Sequence, residues 1–216
     1  SVLDPTSCEL ILRLFMPENG TKVYNPFGGG VQMGFVAGGC GYEYLATELR
    51  QNQCDENNKL CSDFKSSNWI QADSSTYEPK ENFDLAKYVD ENGNKVDGDI
   101  DSLGSYEKFR EALFSGYKKT IDKLNDNCFF VVIVGDSRDG SGAYLGAEAD
   151  HEIFFKEQGM HIYNKVVYLE SEFTRFAQAK RTLHFRKIPK ADQKVLIFYK
   201  GDMKKIKELY PNIGRL

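Results

Sequence analysis

The chain has 216 residues, 41% of them hydrophobic and 28% charged, with a mean hydropathy of -0.50. That is one ordinary domain with room for a three-layer core, and the composition excludes a disordered chain. No apolar run approaches the roughly eighteen residues of a membrane span, and the net charge is -4.

No secretory leader is seen, so secretion is not expected. The five cysteines, Cys8, Cys40, Cys54, Cys61 and Cys128, form no C-x-x-C pair. A disulfide scaffold or a zinc ribbon is therefore not expected, and a reducing cytoplasm is the simplest setting.

Asp4-Pro5-Thr6 opens a first helix. Thr21 to Tyr24 reads as the first strand, followed by Asn25-Pro26-Phe27-Gly28-Gly29-Gly30 and a helix from Val31 to Gly38. Tyr42 to Glu48 is a second strand, Leu49 to Leu60 a polar helix, and Trp69 to Ala72 a short third strand. Asn82 to Leu85 starts a fourth. Ser105 to Leu124 repeats apolar residues at three and four (Phe109, Leu113, Tyr117, Thr120, Ile121, Leu124), which marks an amphipathic helix. Cys128 to Val134 is almost unbroken in its apolarity, as in a central strand covered on both faces. Leu145 to Gln158 is a helix with Gly159 as its C-cap. Ile162 to Leu169 and Val195 to Tyr199 are the last strands. Alternating strands and helices predict an α/β domain spanning 1–216 with a largely parallel sheet. Residues 86–104 and 171–193 are long polar connections, and long loops tend to carry function.

A strand that runs into glycines and then a helix suits a nucleotide-like ligand at the helix N-terminus. Glu48, at the next strand's end and 23 residues after Asn25, stands where an acid would hold a ribose. The turn is neither G-x-G-x-x-G nor a Walker loop. A nucleoside-containing cofactor without phosphates fits better than a dinucleotide or triphosphate.

On these residues the chain resembles the S-adenosylmethionine-dependent DNA amino-methyltransferases, phage-borne and prophage-borne members included. Asn25-Pro26-Phe27-Gly28-Gly29-Gly30 is similar to their Asp-Pro-Phe glycine turn. Gly34 to Gly38, Gly41 to Tyr44, Thr47 to Arg50, Val134 to Asp139 and Lys194 to Asp202 continue the likeness in order along nearly the whole chain. The resemblance implies a three-layer, Rossmann-like class I methyltransferase fold, with a seven-stranded, mostly parallel sheet whose last strand is antiparallel. It implies that Glu48 holds the ribose of S-adenosylmethionine and Asp73 the adenine amino group. Thr6, Asn25, Phe27, Gly28, Gly30, Leu49 and Ser74 would complete the cofactor contacts. It also implies methyl transfer to a base amino group in DNA, adenine N6 favoured and cytosine N4 open.

There are two departures. Asn25 replaces the usual Asp, so no negative charge faces the cofactor's cationic groups. The second is that the family's polar-Pro-Pro-aromatic motif, expected just after the fourth strand, is absent: no two of the six prolines are adjacent. Its place falls between Leu85 and Ala86, where the strand is cut to about four residues, short for an inner strand. Either catalysis is lost, leaving a binding module on this fold, or residues are missing at this junction. The second reading is the expectation here. It predicts a chain break, with the two Cα atoms much farther apart than roughly 3.8 Å, and leaves the catalytic residues unassigned.

From Met160 to Leu216 there are 13 Lys and Arg against 5 Asp and Glu; the remaining 159 residues carry 15 and 27. Within this basic quarter, 171–193 alternates basic and aromatic residues. Arg175, Lys180, Arg181, Arg186 and Lys187 are expected on DNA phosphates or base edges, with Phe176, His184 or Phe185 as wedges. The competing reading is a solvated helix face. His151, His161 and His184 are scattered, and no metal site is expected. Asp136, ending the long fifth strand, either shapes a substrate pocket or caps the loop that follows.

Overall fold

The computed structural model describes residues 4–64, 66–89, 104–169, 179, 182–190 and 192–210. Chain order gives α1 (Pro5–Phe15), β1 (Lys22–Asn25), α2 (Gln32–Gly39), β2 (Glu43–Glu48), α3 (Gln51–Leu60), β3 (Ser67–Gln71) and β4 (Phe83–Val89). These are followed by α4 (Tyr106–Lys123), β5 (Leu124–Val134), α5 (Ala147–Glu157), β6 (His161–Leu169), β7 (Asp192–Lys200) and a last short helix, α6 (Ile206–Leu209). One sheet holds all seven strands in the order β3-β2-β1-β4-β5-β7-β6. The β1–β5 pairs are parallel, and β7 is antiparallel to both β5 and β6. This is the architecture that the family resemblance implies.

The apolar run of β5 divides by parity, as a strand covered on both faces must. Phe129, Val131 and Ile133 face the layer of α1 and α2, with Leu12, Phe15, Met33 and Trp69. Phe130, Val132 and Val134 face α4 and α5, with Leu113, Tyr117, Ile121 and Phe155. At the β3 edge, Asn58 on α3 binds the strand through its amide. Its Oδ1 accepts from Trp69 N at 2.8 Å, and its Nδ2 donates to Trp69 O at 2.9 Å. A free edge is thereby capped.

The expected break between Leu85 and Ala86 is overturned. β4 is continuous: Leu85 faces Val23 and Phe129, and Ala86 faces Tyr24 and Phe130, in register. The parity of β5 explains why. Leu85 joins the α1/α2 core, while Ala86 and Tyr88 join the α4/α5 core. Lys87 hid this pattern in the sequence, because a charge rarely occupies an inner strand, yet it is 2% exposed. The slot after the fourth strand therefore moves to 90–93. That sequence reads Asp90-Glu91-Asn92-Gly93, with no Pro-Pro-aromatic triplet, and lies outside the described residues.

Candidate functional site at the carboxyl edge of the sheet

Parallel strands deliver the ends of β1, β2 and β3 to one edge. Asn25 stands beside Ala46, Glu48 beside Gln71, and Ala72 N donates to Glu48 O at 3.0 Å. The strand order reverses between β1 and β4, and such a reversal opens a crevice at the carboxyl ends.

The glycine turn lies against this edge, and its glycines answer two needs. Gly28 N donates to Thr47 O at 2.7 Å, and a Cβ on Gly28 would sit 2.7 Å from Ala46 Cβ. This glycine lets the turn press onto β2. Gly29 takes a φ of 50°, which an L side chain rarely adopts. Its carbonyl accepts from the buried Asn57 Nδ2 at 2.8 Å. Gly30 is half-buried beside it.

Several residues expected to contact the cofactor also brace this turn. Asn25 is 2% exposed: its Nδ2 donates to Tyr44 Oη at 3.2 Å, and its Oδ1 accepts from Phe27 N at 3.2 Å. The amide thus ties the turn to β2. Ser74 is buried; its hydroxyl donates to Pro26 O and lies 2.7 Å from Thr47 Oγ1. Phe27 packs edge-on against Tyr88 and Tyr117, toward α4. Burial holds the Tyr24 hydroxyl, 3.3 Å from Thr47 Oγ1, protonated well above the ordinary range.

Glu48 differs. Its side chain is 10% exposed, and its Oε1 accepts twice from Arg50, from the backbone N at 3.0 Å and from Nε at 2.8 Å. Oε2 has no protein partner among the described residues. A nearly buried carboxylate with one oxygen saturated and one open is an oriented acceptor for hydroxyl donors. Leu49, half-buried, follows it and accepts from Gln71 Nε2 at 3.2 Å. Asp73 is exposed beyond β3; its Oδ1 accepts from Ser75 N at 2.8 Å and Ser75 Oγ at 2.7 Å. Thr6 is exposed on the first turn of α1, which Asp4 caps by accepting from Ser7 N at 3.0 Å.

The basic segment is described in part. Arg175, Lys180 and Arg181 lie outside the described residues. Arg186 and Lys187 follow a single 3-10 turn, Leu183–Phe185, on which Phe185 is 65% exposed. Asp136 Oδ1 accepts from Gly146 N at 3.1 Å and Ala147 N at 3.3 Å, closing the loop at the start of α5. No cluster of three metal-ligating residues occurs among the described residues, and none of their helices is long and apolar enough to cross a membrane.

Sequence reasoning missed Arg50 and Asn57. Arg50 precedes α3 and Asn57 is buried on it, and nothing in the spacing of this polar stretch separates a solvated side chain from one that turns back onto the site.

No protein-family model matches this sequence, and no curated protein matches it. Solved structures do. TrmN from Thermus thermophilus superposes with a TM-score of 0.58 at 13% identity, over 92% of this chain and 49% of TrmN, so this chain spans about half of TrmN's length. An rRNA methylase from Streptococcus thermophilus gives a TM-score of 0.56 at 11% identity, over 94% of this chain and 99% of that one. The N-methyltransferase NodS from Bradyrhizobium japonicum, solved in complex with S-adenosyl-L-homocysteine, gives 0.56 at 11% identity, over 92% and 84%. At such identities the likeness carries the architecture: this chain has the Rossmann-like fold of the S-adenosylmethionine-dependent methyltransferases.

Proposed function

We propose that this chain binds S-adenosylmethionine at the crevice edge and transfers its methyl group to an exocyclic amino group of a DNA base, adenine N6 before cytosine N4. The observation that carries the cofactor half is Glu48, held by Arg50 with Oε2 open, at the end of β2 beside the glycine turn. Glu48 would accept from the ribose hydroxyls and Asp73, through its exposed carboxylate, from the adenine amino group. The cofactor supplies the methyl group as an electrophile. The chain's own share is positioning: it holds the cofactor against the switch point and presents the strand ends toward an incoming base.

An amino-group acceptor is also required, to hold one N–H and stabilise the charge on nitrogen until its proton leaves to water. The residue directly after β4 is Asp90, which has the right chemistry and lies outside the described residues. DNA is favoured as substrate by the likeness to the amino-methyltransferases and by the basic, aromatic stretch near the C-terminal end. Incubation with radiolabelled S-adenosylmethionine and duplex DNA tests this reading: it expects label in DNA, lost on Asp90→Ala.

A second reading has one observation in its favour. β4 is continuous and no Pro-Pro-aromatic triplet follows it, as suits a protein that keeps the fold to bind without catalysis. It expects cofactor and DNA binding with no label transferred.

A further inference from the structure

Between β5 and α5 lies a hairpin, 136–146, that contributes nothing to either core yet is tightly built. Arg138 and Tyr144 form an antiparallel bridge, and Leu145 N donates to Ser137 O at 2.9 Å. Asp139 Oδ1 accepts from Ser141 Oγ at 2.6 Å, Gly142 N at 2.8 Å and Ala143 N at 2.9 Å. These bonds hold its carboxyl below the ordinary range, the Ser141 hydroxyl contributing most. The acid is thereby spent on the turn.

The hairpin presents one composite feature. Arg138 Cζ lies 3.7 Å from the centre of the Tyr144 ring, and Arg138 Nη1 donates to Gly142 O at 2.7 Å. Tyr144 is nevertheless 48% exposed. A planar cation and an aromatic ring, both fixed before any ligand arrives, form a rigid platform of the kind on which bases stack.

Residues 182–190 lock onto the same hairpin. Lys190 Nζ donates to Asp136 O at 3.3 Å. Lys187 lies across Gly142 so closely that a Cβ there would come within 2.2 Å of its Nζ. Gly142 has a φ of 94°, so the turn favours glycine there. Because β7 is antiparallel, its N-terminal end and the C-terminal end of β5 share one edge of the sheet. Lys187 and Lys190 thus lie against the hairpin that carries Arg138 and the exposed Tyr144, and Arg186 and the exposed Phe185 sit on the same 182–190 segment.

We propose that the 136–146 hairpin and residues 182–190 act as one clamp on duplex DNA. Tyr144, backed by Arg138, stacks on a base displaced from the duplex, and the surrounding cations neutralise the neighbouring phosphates. Charge complementarity commits the surface to a polyanion, and the preformed aromatic platform to one with bases to stack. This rests on the DNA half of the proposed function.

The test is fluorescence anisotropy of a labelled duplex with the full chain across a salt series, with S-adenosylhomocysteine affinity measured beside it. Tyr144→Ala and Arg138→Ala are expected to weaken DNA binding about tenfold or more, as for loss of one stacked base. Tyr144→Phe keeps the ring and should stay within about twofold of the parent by the same reasoning. Arg138→Ala should also lower the salt slope by about one. All three should keep the parent's melting temperature and cofactor affinity. If the parent binds DNA and Tyr144→Ala binds it equally well, the clamp is wrong while the DNA reading stands. A parent that binds the cofactor but no DNA overturns both. Single-stranded RNA displacing the duplex at lower concentration would overturn the assignment to DNA.

Discussion

The two halves of the carboxyl edge are built in different ways. On the β1–β3 side four polar groups are turned inward: Asn25, Thr47, Asn57 and Ser74 are buried and bonded to the glycine turn or its braces, while Asp73 stays exposed. Glu48 Oε2 has no protein partner among the described residues, although its carboxylate is nearly buried. On the β5–β7 side the polar and aromatic groups stand outward, as in Arg138, Tyr144 and Phe185, on loops outside either core. A site for a small, constant ligand is preorganised by burial, whereas a surface for a long polyanion needs exposed charge on a firm base.

The pH dependence of stability sharpens that contrast, because it belongs to the packing beneath the outward side. His151 on α5 is buried, with Nε2 3.3 Å from Tyr117 Oη and Nδ1 2.7 Å from Ala147 O. Burial lowers its pKa to about 4. The unfolded chain, with an ordinary histidine, binds more protons between about 6.5 and 4, so stability is full above that window and falls as pH drops through it. Chemical denaturation should show a loss of about 2 kcal/mol on going from pH 7.5 to pH 5 from this group alone. His151→Phe should flatten that slope; an unchanged slope would place the histidine in water.

The inward side should break on overpacking. A Cβ on Gly34 would come within 2.1 Å of the Trp69 ring, so Gly34→Ala is expected to cost about 1–3 kcal/mol. A thermal melt within about 0.5 kcal/mol of the parent, the range of surface changes, would show that α2 is not pressed onto β3 as described. Lys87→Ala tests the junction in the same way. If β4 is continuous and Lys87 is buried, removing its stem should cost about 2 kcal/mol. A neutral result would put Lys87 outside the core and reopen the break at Leu85-Ala86.

Arg50→Ala should leave stability near the parent and weaken S-adenosylhomocysteine binding about tenfold, the worth of a charged hydrogen bond that orients Glu48. Arg50→Lys should recover part of the loss. The smallest effect belongs to the outward side. Arg186→Ala with Lys187→Ala should lower the salt slope of DNA binding by about two and leave folding within about 0.5 kcal/mol. A parental salt slope would remove this segment from the interface.

The architecture was legible because β5 declares itself. Its unbroken apolar run reads as a strand covered on both faces, the alternating elements around it mark an α/β domain, and the seven-stranded topology follows from the family resemblance. Glu48 was legible for the same reason, as an acid where an apolar strand stops. The course of β4 was not: Lys87 reads as a loop residue until the parity of Leu85, Ala86 and Tyr88 is seen against β5. Ser74, Phe27 and Asn25 stand where the resemblance expects cofactor contacts; their side chains turn back into the protein, and side-chain direction at a turn leaves no periodicity to read. Arg138 and Tyr144 escaped because a six-residue separation pairs them only once the hairpin has folded.

The central claim is that Glu48 presents an open oxygen to the ribose of S-adenosylmethionine. Isothermal calorimetry of S-adenosylhomocysteine with the parent and with Glu48→Ala tests it most directly. The account predicts binding by the parent and a loss on the order of 1.5–3 kcal/mol in the variant, about tenfold or more in affinity, with the melting temperature of the free protein little changed. No binding by the parent, or equal affinity in both proteins, would contradict it.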